Sequence, residues 1–215
     1  DFSAQVAIPL ADGNFLAAGN YTKDGESEGL LVVKFDINGN IIWLKKNYPP
    51  LDTQDSGNVQ YAENMIELRN GNIFIVTAPR AFLMLDSSGE ILLFQTVSYG
   101  VRNDYSLVAN DNFVYIPSKY YLDIISTNGS QYSSVSPWGT LRFRSALLHS
   151  SGDLIAVGET GAHIRVVRTD SQGNIIWDKS YETYGPDLNQ YVRIIEGYDQ
   201  QLILLIHNYD NYFLG

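Results

Sequence analysis

A long internal repeat constrains the fold of this chain more than any other feature of its sequence. The stretch from Asp12 to Tyr48 and the stretch from Ser150 to Tyr181 carry the same succession of glycine turns and short apolar segments. Within them, the six residues that begin at Gly39 and the six that begin at Gly173 differ only at the last position. A repeat this close predicts a chain built from one supersecondary unit used several times.

The period of the repeat predicts the architecture. Turns equivalent to that at Gly39 fall at Gly89, Gly129 and Gly173, at spacings of 50, 40 and 44 residues. These spacings are typical of four-stranded propeller blades and far from those of leucine-rich or ankyrin repeats. The alternating run that ends at Asp36 predicts a strand with two unlike faces. We therefore predict an all-β fold: one β-propeller array over 1–215, with four-stranded antiparallel blades at about 4–47, 58–96, 105–135 and 141–180 and a partial blade at 191–215.

A partial fifth blade would leave an unpaired strand edge. A propeller closes by pairing its last blade with its first. We therefore expect the natural protein to continue beyond Gly215, with an open array whose ends are covered as the alternative.

Composition excludes several classes of function. The net charge of −10 and the lack of a Lys/Arg stripe argue against nucleic-acid binding. The absence of cysteine removes disulfides, thiolate metal sites and cysteine nucleophiles. No run of eighteen apolar residues predicts a transmembrane segment. The three histidines have no metal-ligand spacing, so we expect no metal site.

Several residues recur at equivalent places of the repeat. The aspartates at the starts of turns could act as calcium or substrate ligands, or could cap the turn by accepting backbone N–H bonds. We favour the second interpretation, because a repeated position is usually a folding device. The tryptophans are expected to pack between neighbouring blades. The structural repeat residues are Asp36, Gly39, Trp43, Asp86, Gly89, Asp170, Gly173 and Trp177.

A second set of residues falls on the connections between blades and is rich in tyrosine. In a propeller, these connections share a face with the loops between the second and third strands, including the acidic stretch 23–28. Aromatic rings with orienting polar groups suit recognition of a saccharide or a protein. We call this surface the tyrosine-rich loop face; its candidate residues are Tyr48, Tyr99, Arg102, Tyr105, Trp138, Tyr181, Tyr184, Asp187 and Tyr191.

The two best copies of the repeat resemble those of bacterial β-propeller proteins. The shared pattern is Val-Val-(Lys/Arg)-x-Asp-x-x-Gly-Asn-Ile-Ile-Trp-x-Lys, followed closely by a tyrosine, Tyr48 or Tyr181. It is similar to repeats of secreted proteins and surface lipoproteins, many of them from Bacteroidota. The resemblance implies a non-enzymatic binding or scaffold protein at the bacterial surface, extracellular or outer-membrane, with the periplasm as a further option. It also implies a protein or glycan partner and allows a lipid anchor outside the given sequence.

The alternative is a propeller enzyme that acts on a glycan or, less favoured, a quinone-dependent dehydrogenase. Trp43 and Trp177 stand four residues after a glycine, as in quinoprotein repeats. However, Asp36 and Asp170 lie one residue closer to that glycine than in those enzymes, and the threonine is missing, so we expect no cofactor. The spacing of sialidase Asp boxes is not met either.

Overall fold

The structure, a computed structural model, describes residues 2–23, 26–46, 61–78, 81–96, 107–117, 121–136, 142–160, 163–182 and 191–207. Every regular element in these ranges is a β-strand. The chain divides into two compact units, one of residues 1–103 with 127–130 and one of 104–126 with 131–215.

The first unit contains two four-stranded sheets in which each strand is antiparallel to the next along the chain. Apolar side chains from one face of each sheet form a buried cluster between the two sheets. The first sheet consists of β1 (Phe2–Pro9), β2 (Phe15–Lys23), β3 (Glu26–Phe35) and β4 (Ile41–Lys46). The second consists of β5 (Tyr61–Glu67), β6 (Ile73–Ala78), β7 (Ala81–Leu85) and β8 (Ile91–Thr96).

The second unit contains two further antiparallel four-stranded sheets and a two-stranded hairpin. The third sheet consists of β9 (Val108–Ala109), β10 (Phe113–Pro117), β11 (Leu122–Ser126) and β12 (Tyr132–Val135). The fourth consists of β13 (Arg142–Leu148), β14 (Leu154–Thr160), β15 (His163–Thr169) and β16 (Ile175–Glu182). The terminal hairpin consists of β17 (Tyr191–Glu196) and β18 (Leu202–His207).

Apolar layers between successive sheets hold each unit together. In the first unit, Leu16 and Val32 pack in one buried cluster with Ile75 of the second sheet. In the second unit, one cluster joins the third and fourth sheets, and another joins the fourth sheet to the terminal hairpin. Each fully buried Leu, Ile or Val contributes about 1.5–3 kcal/mol, so these layers stabilise the stacking of the sheets.

The hairpin between β2 and β3 is longer than the sequence predicts. The sequence analysis places a loop at 23–28, but β2 continues to Lys23, and Glu26 is its partner at the start of β3. A register shift after Tyr21 lets the ladder continue beyond the irregularity, and Gly29 takes a φ of 125° beside it. Most of the acidic stretch is therefore strand.

Candidate functional site

Most candidates for the tyrosine-rich loop face fall on connections outside the described residues. This applies to Tyr48, Tyr99, Arg102, Tyr105, Trp138, Tyr184 and Asp187. Of the two others, Tyr181 lies near the end of β16 with 48% of its surface exposed, and Tyr191 is the first residue of β17. The grouping of these residues on one surface stays a prediction.

The repeated aspartates cap turns. The Asp36 Oδ1 atom accepts backbone N–H bonds from Asn38 and Asn40, both at 2.8 Å. Asp86 and Asp170 accept the equivalent pairs at 2.9 Å. Side-chain hydrogen bonds lower the pKa of each carboxyl, from Asn40 to Asp36, from Ser88 to Asp86 and from Asn174 to Asp170. These contacts are those of an Asx turn, in which the carboxylate accepts its hydrogen bonds from the residues of its own turn.

The two repeated tryptophans pack against the sheet that follows their own. Trp43 lies against the apolar layer between the first and second sheets, and its Nε1 donates to the Ser87 carbonyl at 3.2 Å. Trp177 packs on the layer between the fourth sheet and the terminal hairpin. Both rings are therefore used in packing within their units, where they exclude water between successive sheets.

The first strand of three of the sheets carries an irregularity in its strand pairing that the sequence analysis missed. Register shifts interrupt β1, β5 and β13 at equivalent places. The residue inserted is Gln5, Glu63 or Arg144, each eight residues before the glycine of the first turn. A bulge leaves its extra residue outside the ladder and redirects its side chain. The sequence signal was a polar residue in an otherwise apolar inner strand.

In the fourth sheet, the bulge residue forms an ion pair with a buried carboxylate. The Arg144 Nη2 atom donates to Glu159 Oε1 at 2.5 Å. Only 4% of Glu159 is exposed, while 24% of the Arg144 side chain reaches solvent. The second carboxylate oxygen of Glu159, Oε2, is buried and has no hydrogen-bond partner. This pair is energetically costly, because a buried charged group needs its full set of partners.

The row of residues through Glu159 leads across the sheet to an exposed aromatic ring. Glu159 pairs with Ile164, and Ile164 pairs with Tyr181. Laterally paired residues of an antiparallel sheet lie on the same face, so the carboxylate and the tyrosine share one face and one end of the fourth sheet. This end is where β13 and β15 begin and β14 and β16 end. The row of Glu159, Ile164 and Tyr181, together with Arg144, is the candidate site.

The opposite end of the fourth sheet holds a charged turn around His149. The His149 Nδ1 atom lies 2.8 Å from Ser151 Oγ, whose hydroxyl donates to Asp153 Oδ2 at 2.9 Å. Arg168 donates to Ser151 Oγ at 3.0 Å. The hydroxyl proton and an oxygen lone pair of the serine are thus engaged by groups other than the imidazole, so this turn does not activate Ser151 as a nucleophile.

Asp123 is a buried carboxyl that the sequence analysis did not single out. It lies six residues before the second-turn glycine, where the other sheets have Val33, Leu83 and Val167. The Tyr132 hydroxyl donates to Asp123 Oδ1 at 3.0 Å. Burial raises the pKa of Asp123, and burial together with the Asp123 charge raises the pKa of Tyr132 to about 12. The missed signal was an acid at an otherwise apolar position of the repeat.

Within the ranges that the structure describes, no group of three or more His, Cys, Asp or Glu side chains is placed to hold a metal ion. No helix among those residues is long and apolar enough to cross a membrane.

Successive four-stranded antiparallel sheets, stacked through apolar layers within each unit, define an all-β protein with the β-propeller fold. Comparison with solved structures confirms this fold. The chain is similar to BamB from Moraxella catarrhalis, with 10% identity and a TM-score of 0.61 over 88% of this chain. It is also similar to virginiamycin B lyase from Staphylococcus aureus, with 14% identity and a TM-score of 0.60 over 94%. A third similar structure is the WD40 propeller domain of Doa1, with 9% identity and a TM-score of 0.56 over 91%.

These matches cover 52% of the BamB chain, 68% of the lyase and 58% of the Doa1 domain, so this chain spans about half the length of BamB. At such low identity the likeness shows the fold alone. No family model and no curated protein sequence matches the chain.

Proposed function

We propose that this chain is a non-enzymatic binding or scaffold propeller of a bacterial cell-surface or secreted assembly. It recognises a protein partner or a glycan through the tyrosine-rich loop face. The observation that carries the proposal is the row of residues across the fourth sheet, which places exposed Tyr181 on the same face and at the same end as the Arg144–Glu159 pair. An exposed ring beside oriented charged groups is a common arrangement in binding surfaces.

The charged groups of the fourth sheet support binding over catalysis. Arg165 pairs with Asp178, and Arg168 pairs with Asp153. A general acid or base needs a carboxyl or imidazole that is free to exchange a proton with substrate. These carboxylates instead accept bonds from arginine, an arrangement that orients side chains and favours a preformed surface.

The localisation proposed for the chain, extracellular or outer-membrane, rests on the resemblance of its repeats to bacterial surface propellers. The same holds for the Bacteroidota-type origin and for a lipid anchor. The alternative, a propeller enzyme that acts on a glycan or, less favoured, a quinone-dependent dehydrogenase, stays a prediction from the sequence.

The test compares tyrosines at opposite ends of the second unit. The immobilised chain is offered a glycan array and an extract of its natural source, and the affinity for each captured partner is then measured with purified material. We expect Tyr181→Ser to weaken binding about 5- to 30-fold, since loss of one anchoring aromatic contact costs about 1–2 kcal/mol. The matched control is Tyr198→Ser, because Tyr198 is fully exposed in the turn at the other end of the terminal hairpin.

Equal effects of the two substitutions would contradict the tyrosine-rich loop face as the binding surface. Chemical conversion of a captured glycan, followed by mass spectrometry, would favour the enzyme instead.

A further inference from the structure

The carboxylate of Glu159 is the least satisfied polar group in the candidate site. One oxygen accepts from Arg144, while Oε2 is buried without a donor. A buried charged oxygen that lacks a hydrogen bond destabilises the folded protein, and such groups in native structures commonly mark a place that another molecule completes. The missing partner must be a hydrogen-bond donor, because an ionised carboxylate only accepts.

The equivalent place in the first sheet shows what a completed arrangement looks like. Asn20 lies seven residues after its turn glycine, as Glu159 does, and its bulge partner is Gln5. The Gln5 Nε2 atom donates to Asn20 Oδ1 at 2.6 Å, and the Asn20 backbone N–H donates to Gln5 Oε1 at 2.9 Å. These two amides satisfy one another reciprocally. In the fourth sheet, the same positions carry full charges and leave an acceptor open.

We infer that Arg144 and Glu159 form a subsite for a hydroxyl group of a neutral saccharide, a proposal that rests on the proposed function and names its ligand class. A hydroxyl oxygen accepts from a guanidinium and donates to a carboxylate through the same atom. A donor and an acceptor in direct contact therefore suit a hydroxyl better than a peptide group, whose N–H and C=O point in opposite directions.

The side chains can present the open oxygen to a ligand without a change of backbone. The open oxygen is buried, so a ligand reaches it when the Glu159 side chain moves to another staggered rotamer. The Arg144 guanidinium, which is partly exposed, connects the buried carboxylate to solvent. A hydroxyl that enters beside the guanidinium gives the buried Glu159 oxygen its missing donor.

Tyr181 provides the second contact of this subsite. It lies two strands from Glu159 in the same row, a separation of about 10 Å at the usual strand spacing of about 4.8 Å. A ligand of two or three sugar rings has that length, and because Ile164 between the two residues is buried, it would pass along the end of the sheet. The exposed phenol ring offers the flat apolar surface on which the C–H face of a sugar packs.

The experiment uses an array of neutral oligosaccharides with sialylated and sulfated oligosaccharides printed beside them. The strongest neutral ligand is then titrated calorimetrically. We expect the wild-type chain to bind at least one neutral oligosaccharide, and Glu159→Gln to weaken that binding 10- to 100-fold through loss of a charge-assisted hydrogen bond. The matched control is Asn20→Asp, which alters the equivalent position of the first sheet and is expected to leave binding unchanged.

A second variant guards against misfolding, because Glu159→Gln leaves the Arg144 charge without its carboxylate. The double substitution Arg144→Met with Glu159→Met replaces the pair by apolar side chains of similar volume, which buried ion pairs often tolerate. We expect the double variant to unfold cooperatively on heating, as a folded protein does, and to lose saccharide binding.

Three results would overturn the inference: no neutral oligosaccharide bound by the wild-type chain, unchanged affinity in the folded double variant, or binding of acidic oligosaccharides only. In the first case, the proposed function would still stand if the wild-type chain bound a protein partner and Tyr181→Ser abolished that binding. If the wild-type chain bound neither an oligosaccharide nor a protein partner, both proposals would be refuted.

Discussion

At the scale of the residue, folding shifts the pKa values of the aspartates of this chain in opposite directions. Asp36, Asp86 and Asp170 accept backbone N–H bonds at turns, and those bonds lower their pKa values. Their charged forms therefore stabilise the folded chain above the unfolded-state pKa of about 3.9, and that contribution is lost as the pH falls through the folded-state values. Asp123 behaves in the reverse sense, because burial disfavours its charged form.

Asp123→Asn tests this contrast. Since the folded pKa of Asp123 is raised, its contribution to stability falls as the pH rises from the unfolded value of about 3.9 through the folded value. The asparagine keeps the Oδ1 acceptor for Tyr132 and carries no charge. We expect the variant to gain stability relative to wild type as the pH rises above about 4, measured by urea unfolding.

Asp170→Asn is the control: it keeps the Oδ1 acceptor of the turn and loses the charge, together with the Oδ2 acceptor for the Asn174 side chain. The pKa of Asp170 is lowered in the fold, so the stability of the variant relative to wild type should fall as the pH rises towards the unfolded-state value of about 3.9. Parallel pH profiles for the two variants would refute the assignment of opposite roles.

At the scale of the element, successive sheets are joined by contacts at the turns as well as by apolar layers. The Ala11 N–H in the first sheet donates to Glu67 of the second at 2.6 Å. The Ser150 N–H in the fourth sheet donates to Glu196 of the terminal hairpin at 2.9 Å. Ala11 and Ser150 lie at equivalent places of the two best repeats, which indicates that the copied unit includes its docking to the following sheet.

The glycines of the second turns have different surroundings in different sheets. Substitution by alanine tests the effect of this difference on stability. Gly39 and Gly89 both take a positive φ, of 83° and 85°. A Cβ atom at Gly39 would meet nothing within 4 Å, whereas one at Gly89 would lie 3.0 Å from atoms of Trp43 and Lys45. We expect Gly39→Ala to cost about 1–2 kcal/mol from backbone strain alone.

We expect Gly89→Ala to cost about 2–4 kcal/mol, since overpacking against the indole adds to the same strain. Chemical denaturation of both variants measures the difference. Similar losses for the two would show that Trp43 does not pack closely over the second-sheet turn.

At the scale of the whole molecule, the sequence was sufficient for the fold and insufficient for the site. The repeated Gly39 and Gly173 turns, with apolar alternation between them, predict sheets because turn chemistry and strand periodicity are local. The contact between Arg144 and Glu159 depends on a bulge and on pairing between strands, which no local pattern specifies. The tyrosine-rich loop face lies mainly on connections, where sequence patterns constrain the backbone least.

The net charge of the whole chain gives a last prediction. With 24 acidic and 14 basic residues, the folded chain carries a charge of −10 at pH 7, and compaction brings like charges together. Salt at 0.15 M reduces the Debye length to about 8 Å and screens this repulsion. We therefore expect the melting temperature at pH 7 to rise by about 2–5 °C between 10 mM and 150 mM NaCl, measured by calorimetry.

The control is the same titration near pH 4.6, the isoelectric point of the sequence, where the net repulsion vanishes and the rise should disappear. A fall in melting temperature with salt at pH 7 would instead mean that local ion pairs outweigh the net charge. An exposed pair such as Lys45–Glu90 is the foremost candidate, since salt screens exposed charges most strongly. Buried pairs are screened less than exposed charges, so they should survive the added salt while the long-range repulsion does not.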